Sequence, residues 1–151
     1  MRVAVASDHG GFGLKAEIIN FLRARDIEYK DFGTHSEDSV DYPDYALVVA
    51  ESVVAGQFDL GIVCCGTGIG VSMSANKVPG VRAALCHDTF SARMAREHNN
   101  ANVLTLGQRV VGAGLALDIV NAFLEAGFDH GGRHSRRVDK MCGIEEKYCS
   151  K

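Results

Sequence analysis

Long hydrophobic runs are missing from this sequence: no segment approaches the roughly 20 consecutive apolar residues that a membrane-spanning helix needs. Met1 leads straight into Val3-Ala4-Val5-Ala6, with neither a basic flank nor an apolar core of signal-peptide length, so the expected location is the cytoplasm. An excess of one charge is missing as well. Sixteen Lys and Arg against nineteen Asp and Glu leave a formal net charge of -3, which excludes a general attraction to nucleic acid or an anionic membrane and makes any anion site local. Pairable cysteines are lacking: five is an odd count, and adjacent Cys64 and Cys65 fit neither a disulfide framework nor a Cys-x-x-Cys metal knuckle, so reduced thiols are expected. Cys142 and Cys149, with His130 and His134 nearby, have a spacing that is not usual for zinc. Repeats, low-complexity tracts and linkers are absent, and 151 residues with 46% apolar and 23% charged content describe one domain, 1–151, able to bury a core.

What the sequence has is alternation. Short strand-like runs at Val3 to Ala6, Glu28 to Asp31, Leu60 to Cys64, Val81 to Leu85 and Val103 to Leu106 alternate with longer helical stretches. That is the signature of an α/β fold of three layers, α/β/α, around a Rossmann-like five-stranded parallel sheet. Leu14, Ile18, Phe21 and Leu22 form one helical stripe. A second helix is expected from Tyr42-Pro43 through Ala46, Val49, Ala50 and Val53 to Gly56, since proline suits a first turn. A third starts inside a glycine loop and continues through Val71, Met73 and Ala75, and a fourth carries Phe90, Met94 and His98 on one side. The fifth places Leu115, Ile119, Val120, Phe123 and Leu124 on one stripe, with Gly127 as its C-cap. The C-terminal helical tail, about 129–151, is rich in Arg and His before a short helix with few apolar anchors, so packing on a second subunit is expected.

Chemistry concentrates at Leu60 to Gly70, where a buried strand runs into Cys64, Cys65 and glycine at alternate positions. Such a strand end lies at the carboxyl edge of a parallel sheet, where open α/β folds keep their ligands. Gly66, Gly68 and Gly70 let successive N–H groups face one concavity suited to phosphate or an oxyanion, and those dipoles favour a thiolate at Cys65. Cys64 reads as a small core residue. Asp8 and His9 follow the first strand as Cys65 follows the third, so the two strand ends face one crevice. Asp8 also reads as a helix cap and His9 as a solvated loop residue. His98 suits proton transfer near neutral pH, or is simply a histidine favoured at a helix C-terminus. In Gly131-Gly132-Arg133-His134-Ser135-Arg136-Arg137, Arg133 and Arg137 can clamp a phosphate with two planar forks, against the alternative of a solvated basic face. Arg109 is a further candidate.

Together, Ser7-Asp8-His9-Gly10-Gly11, Asp41-Tyr42-Pro43, Cys65-Gly66-Thr67-Gly68-Ile69-Gly70 with Ser72 and Ala75-Asn76-Lys77, His98-Asn99, and Gly131-Gly132-Arg133-His134 with Arg137 span almost the whole chain in order. The chain resembles the ribose 5-phosphate isomerase type B family, which also holds galactose 6-phosphate isomerase subunits. The resemblance implies a homodimer, or a dimer of dimers, with the active site at the subunit interface and no metal or organic cofactor. It implies Cys65 as the base moving a proton between C2 and C1 of a sugar phosphate, a reaction of the pentose phosphate pathway, and His98 as the acid/base that opens the ring. Asp8, His9, Gly66, Thr67, Gly68, Ile69, Gly70, Asn99, Arg109, Arg133 and Arg137 would bind substrate. Some relatives put glycine at the cysteine position and a glutamate base where this chain has Ile69; this chain has the cysteine form.

Ribose 5-phosphate is the expected substrate, with allose 6-phosphate, galactose 6-phosphate and a tetrose phosphate as alternatives. A dinucleotide-binding domain fits less well, because His9-Gly10-Gly11-Phe12-Gly13 lacks the Gly-x-Gly-x-x-Gly order and Asp8 would sit beside a pyrophosphate. A phosphosugar sensor without turnover would use the same arginines.

Overall fold

The computed structural model describes residues 1–149; the last two positions of the expected tail lie outside the described residues. Five parallel strands, β1 (Arg2–Ser7), β2 (Glu28–Asp31), β3 (Leu60–Cys65), β4 (Ala83–Leu85) and β5 (Val103–Gly107), form one sheet in the order β2-β1-β3-β5-β4. Among the described residues six α-helices surround it: α1 (Phe12–Ala24), α2 (Tyr42–Val54), α3 (Ile69–Ala75), α4 (Thr89–Asn99), α5 (Ala113–Glu125) and α6 (Gly132–Cys149). The expected α/β/α architecture is the observed one.

The strand period of two divides the core. Val3, Val5, Ile62, Cys64, Leu104 and Leu106 face Leu14, Ile18 and Leu22 of α1, Ala92 and Ala95 of α4 and Ile119, Val120 and Phe123 of α5. Ala4, Ala6, Val63, Cys65 and Val103 face Val49, Ala50 and Val53 of α2 with Val71 and Ala75 of α3. The β1 residues facing α2 are alanines, and Gly61 of β3 leaves room for Val49, so α2 sits close on the sheet.

Several local expectations are corrected. β3 and β5 each run one residue further, so Cys65 and Gly107 lie inside the sheet, paired with each other. β4 starts at Ala83 because Val81 folds back to hydrogen-bond the Val78 carbonyl, and the Arg82 N–H is taken by Asn102 Oδ1 at 2.8 Å. Met73, Phe90 and Leu115 point outward; α4 buries Ala92 and Ala95 instead, while α5 buries Ala116 beside the expected Ile119, Val120, Phe123 and Leu124. Gly127 is not a left-handed cap, since α5 leaves the helix at Ala126 in extended backbone. The tail helix is not short: α6 has 18 residues and takes in all three arginines.

Candidate active site

The topological switch falls between β1 and β3, whose register pairs Ser7 with Cys64 and so sets their carboxyl ends side by side. Asp8 is buried there; its N–H donates to the Cys64 carbonyl at 3.2 Å and its Oδ1 accepts the Gly11 N–H at 3.0 Å. Asp8 is therefore a cap, of the short turn His9–Gly11, as well as an edge residue. That turn lies directly on β3: a Cβ at Gly11 would fall 2.5 Å from the Cys64 carbonyl carbon, which only glycine avoids. His9 Nδ1 accepts the Val40 N–H at 3.2 Å, so the neutral ring carries its proton on Nε2.

The pleat separates the adjacent cysteines. Cys64 faces the α1/α5 core, where burial, and then the neighbouring Cys65, push its proton affinity up far enough to leave an inert thiol. Cys65 faces the other layer at the end of the sheet, 5% exposed, and its Sγ accepts the Gly68 N–H at 3.0 Å. Gly68 makes that bond with φ +78, a conformation that favours glycine, and a Cβ there would lie 2.5 Å from Leu85 Cδ1 and 2.8 Å from the Leu106 carbonyl carbon. Thr67 Oγ1 accepts the Ile69 N–H at 3.3 Å, while the Ile69 side chain is exposed. From β5, the Gln108 N–H donates to the Cys65 carbonyl at 2.9 Å and the Arg109 N–H to the Gly66 carbonyl at 3.0 Å. The Arg109 guanidinium lies against Gly66 and the Tyr42 ring against Gly70. Asp8, His9, Cys65, the Gly66 to Gly70 loop and Arg109 thus share one edge.

The other expected residues do not join them within one chain. α4 starts after β4 and ends before β5, and its 11 residues, at 1.5 Å each, carry the backbone about 16 Å back to the amino edge of the sheet. His98 and Asn99 are at that end. His98 stacks on His134 of α6, with ring centroids 4.1 Å apart and planes within 6°. Arg133 Nε donates to His134 Nε2 at 3.3 Å, and Arg137 follows one turn later on the exposed side. Asn99 lines a cavity of about 740 Å³ between β4 and α6, walled by Ala83, Ala84, Met141, Ile144 and Tyr148. Among the described residues no group of three or more His, Cys, Asp or Glu is placed to hold a metal ion.

Two contributors are not evident in the sequence motifs, and a third lies in a motif that gave it no role of its own. Gln108 Oε1 accepts the Leu14 N–H at 2.7 Å, capping α1 from 94 positions away; nothing local signals it. Lys15, 2% exposed, bonds Asp31 Oδ1 at 2.7 Å and the Thr34 carbonyl at 2.7 Å, fastening the end of β2 to α1. A lysine on the same helical face as Ile18 and Leu22 was the available signal. The third is His134, inside the basic motif but buried on His98.

The pattern of the Ribose/Galactose Isomerase family matches residues 3–141. Ribose-5-phosphate isomerase B of Escherichia coli (strain K12) is 47% identical over 97% of this chain and 97% of its own length. The ribose-5-phosphate isomerase B structure from Clostridium thermocellum superposes with a TM-score of 0.96 at 59% identity, covering 98% of this chain and 99% of that one. The structure from Mycoplasma genitalium, with bound ribulose-5-phosphate, gives a TM-score of 0.90 at 44% identity, covering 97% of each chain. By its matched length, its fold and the order of its motifs, the chain belongs to the ribose/galactose isomerase family.

Proposed function

We propose that this protein interconverts ribose 5-phosphate and ribulose 5-phosphate, the pentose phosphate pathway isomerisation, with Cys65 as the base. The observation that carries the reading is the thiol at the sheet's carboxyl edge whose sulfur receives the Gly68 N–H, at the start of a glycine loop of the kind that can hold an oxyanion. A relative solved with ribulose-5-phosphate supports the substrate class.

In this mechanism His98 first moves the proton of the C1 hydroxyl to the ring oxygen, freeing the aldehyde that acidifies C2. The Cys65 thiolate then takes the C2 proton and returns it to C1, while a proton passes from O2 to O1, so substrate and product remain isomers. The ene-diolate oxygens are held by loop N–H groups and Thr67, and Asp8, His9 and Asn99 hold hydroxyls. Arg109, Arg133 and Arg137 hold the phosphate, whose binding energy positions the reacting carbons.

His98, Asn99, Arg133 and Arg137 reach Cys65 from a second copy of the chain, the tail packing across the interface, so each homodimer site is composite. The separation of the two clusters across the sheet supports this. Mixing inactive Cys65→Ser chains with inactive Arg137→Ala chains should restore partial activity, because some heterodimers assemble one intact site. Confirmed subunit exchange without recovery would overturn the composite site. A panel of aldose phosphates assayed for ketose formation tests the substrate: a preference for allose 6-phosphate, galactose 6-phosphate or a tetrose phosphate would reassign it, and binding without turnover would leave a sensor.

A further inference from the structure

We infer that His134 is a two-sided positioning residue, its ring face fixing the plane of His98 and its Nε2 holding the Arg133 guanidinium. This rests on the reading of His98 and Arg133 given above.

The geometry separates the two functions. The rings of His98 and His134 lie 4.1 Å apart and within 6° of parallel, so one face of the His98 ring is covered rather than free at a helix end. The loop before α6 is fastened to the same place, with the Asp129 N–H donating to the Glu97 carbonyl at 3.2 Å. His134 Nε2 lies 3.3 Å from Arg133 Nε, which can only donate, so this nitrogen offers a lone pair and the neutral ring carries its proton on Nδ1. The surroundings favour its neutral form. Burial between α4 and α6 lowers its proton affinity first, followed by His98, Arg133 and Arg137, with Asp129 acting in the opposite sense. A neutral His134 stacks on His98 without repulsion when His98 takes a proton, whereas two cationic rings at this distance would separate.

Steady-state kinetics with ribose 5-phosphate separate the two sides. His134→Phe keeps a flat ring against His98 and removes the acceptor, so KM should rise about tenfold with kcat within about twofold of wild type, the size expected for a weakened charge-assisted contact. His134→Gln places an acceptor near Nε2 and removes the ring, so kcat should fall about tenfold or more with KM little changed. Equal changes in both parameters for both variants, or none, would overturn the inference. His98→Asn and Arg133→Ala run alongside as controls: if neither alters kinetics, the reading of the site fails, and if they do while the His134 pair shows no split, this inference fails alone. Nitrogen-15 shifts of wild-type imidazoles at pH 8 give a measurement that needs no variant. A proton on Nδ1 of His134 supports the assignment; a proton on Nε2 overturns it.

Discussion

The carboxyl edge around Cys65 and the helix α6 are opposite kinds of structure. At the edge, three strand ends are tied by backbone bonds from Asp8 to Cys64, from Gln108 to Cys65 and from Arg109 to Gly66. Hydrogen bonds of this kind are made within one chain and lose little to solvent, so the edge is organised before any partner arrives. Helix α6 buries only His134 and Val138 among its 18 residues, while Ile144 is 61% and Tyr148 63% exposed. One region is tied together by its own backbone; the other exposes most of its surface, apolar residues included.

The sharpest way to break this comparison is at the base. Cys65→Ser should lower kcat for ribose 5-phosphate by roughly a hundred- to ten-thousand-fold while leaving phosphosugar binding, measured by calorimetry, largely intact. Cys64→Ser should retain turnover and lose stability instead, because it buries a hydroxyl in an apolar layer. The opposite assignment of the two losses would exchange the roles of the sulfurs.

On the α6 side, Arg133→Ala or Arg137→Ala should raise KM by roughly ten- to a hundred-fold, the size expected for one charge-assisted bond. Inorganic phosphate should then inhibit the variants less than wild type. Unchanged phosphate inhibition would move the anion grip away from α6.

The rigidity of the edge can be tested at Gly68. With φ +78 and a Cβ position 2.5 Å from Leu85, Gly68→Ala should cost on the order of 1–3 kcal/mol of stability in denaturant unfolding. It should also weaken catalysis, because the N–H to Cys65 would be displaced. A variant as stable and active as wild type would show that this loop is looser than its contacts imply.

The smallest effect concerns pH. His134 binds its proton less readily in the fold than at the ordinary value of 6.5. Below that pH the unfolded chain takes up more protons than the native one, so this contribution to stability is complete above 6.5 and is lost as pH falls toward the lowered native value. Between pH 7.5 and 5.5, wild type should lose more in Tm than His134→Phe. Parallel losses would indicate that α6 docking is insensitive to this ring.

Much of the edge was legible because its signals are local. A run of apolar residues ending in two cysteines and alternate glycines specifies a strand, a tight turn and a helix start within about ten positions. The same locality misled elsewhere: Leu115 and Phe90 fit helical stripes by spacing, yet both are exposed, α4 burying Ala92 and Ala95 instead and α5 burying Ala116 beside Ile119, Val120, Phe123 and Leu124. The length of α6 was hidden because glycines and arginines at its start read as loop, and propensity alone does not show what a helix packs against.

The sequence by itself determined the alternation of strands and helices and the opposite faces of Cys64 and Cys65, since each follows from a period of two or 3.6 residues. Tertiary structure alone decided that β5 lies between β3 and β4, that Gln108 caps α1 and Lys15 reaches Asp31, and that His98 stands at the far edge of the sheet from Cys65. These depend on which distant surfaces bury one another. Apolar burial is non-directional, so the hydrophobic pattern says that a face must be covered but not which element covers it.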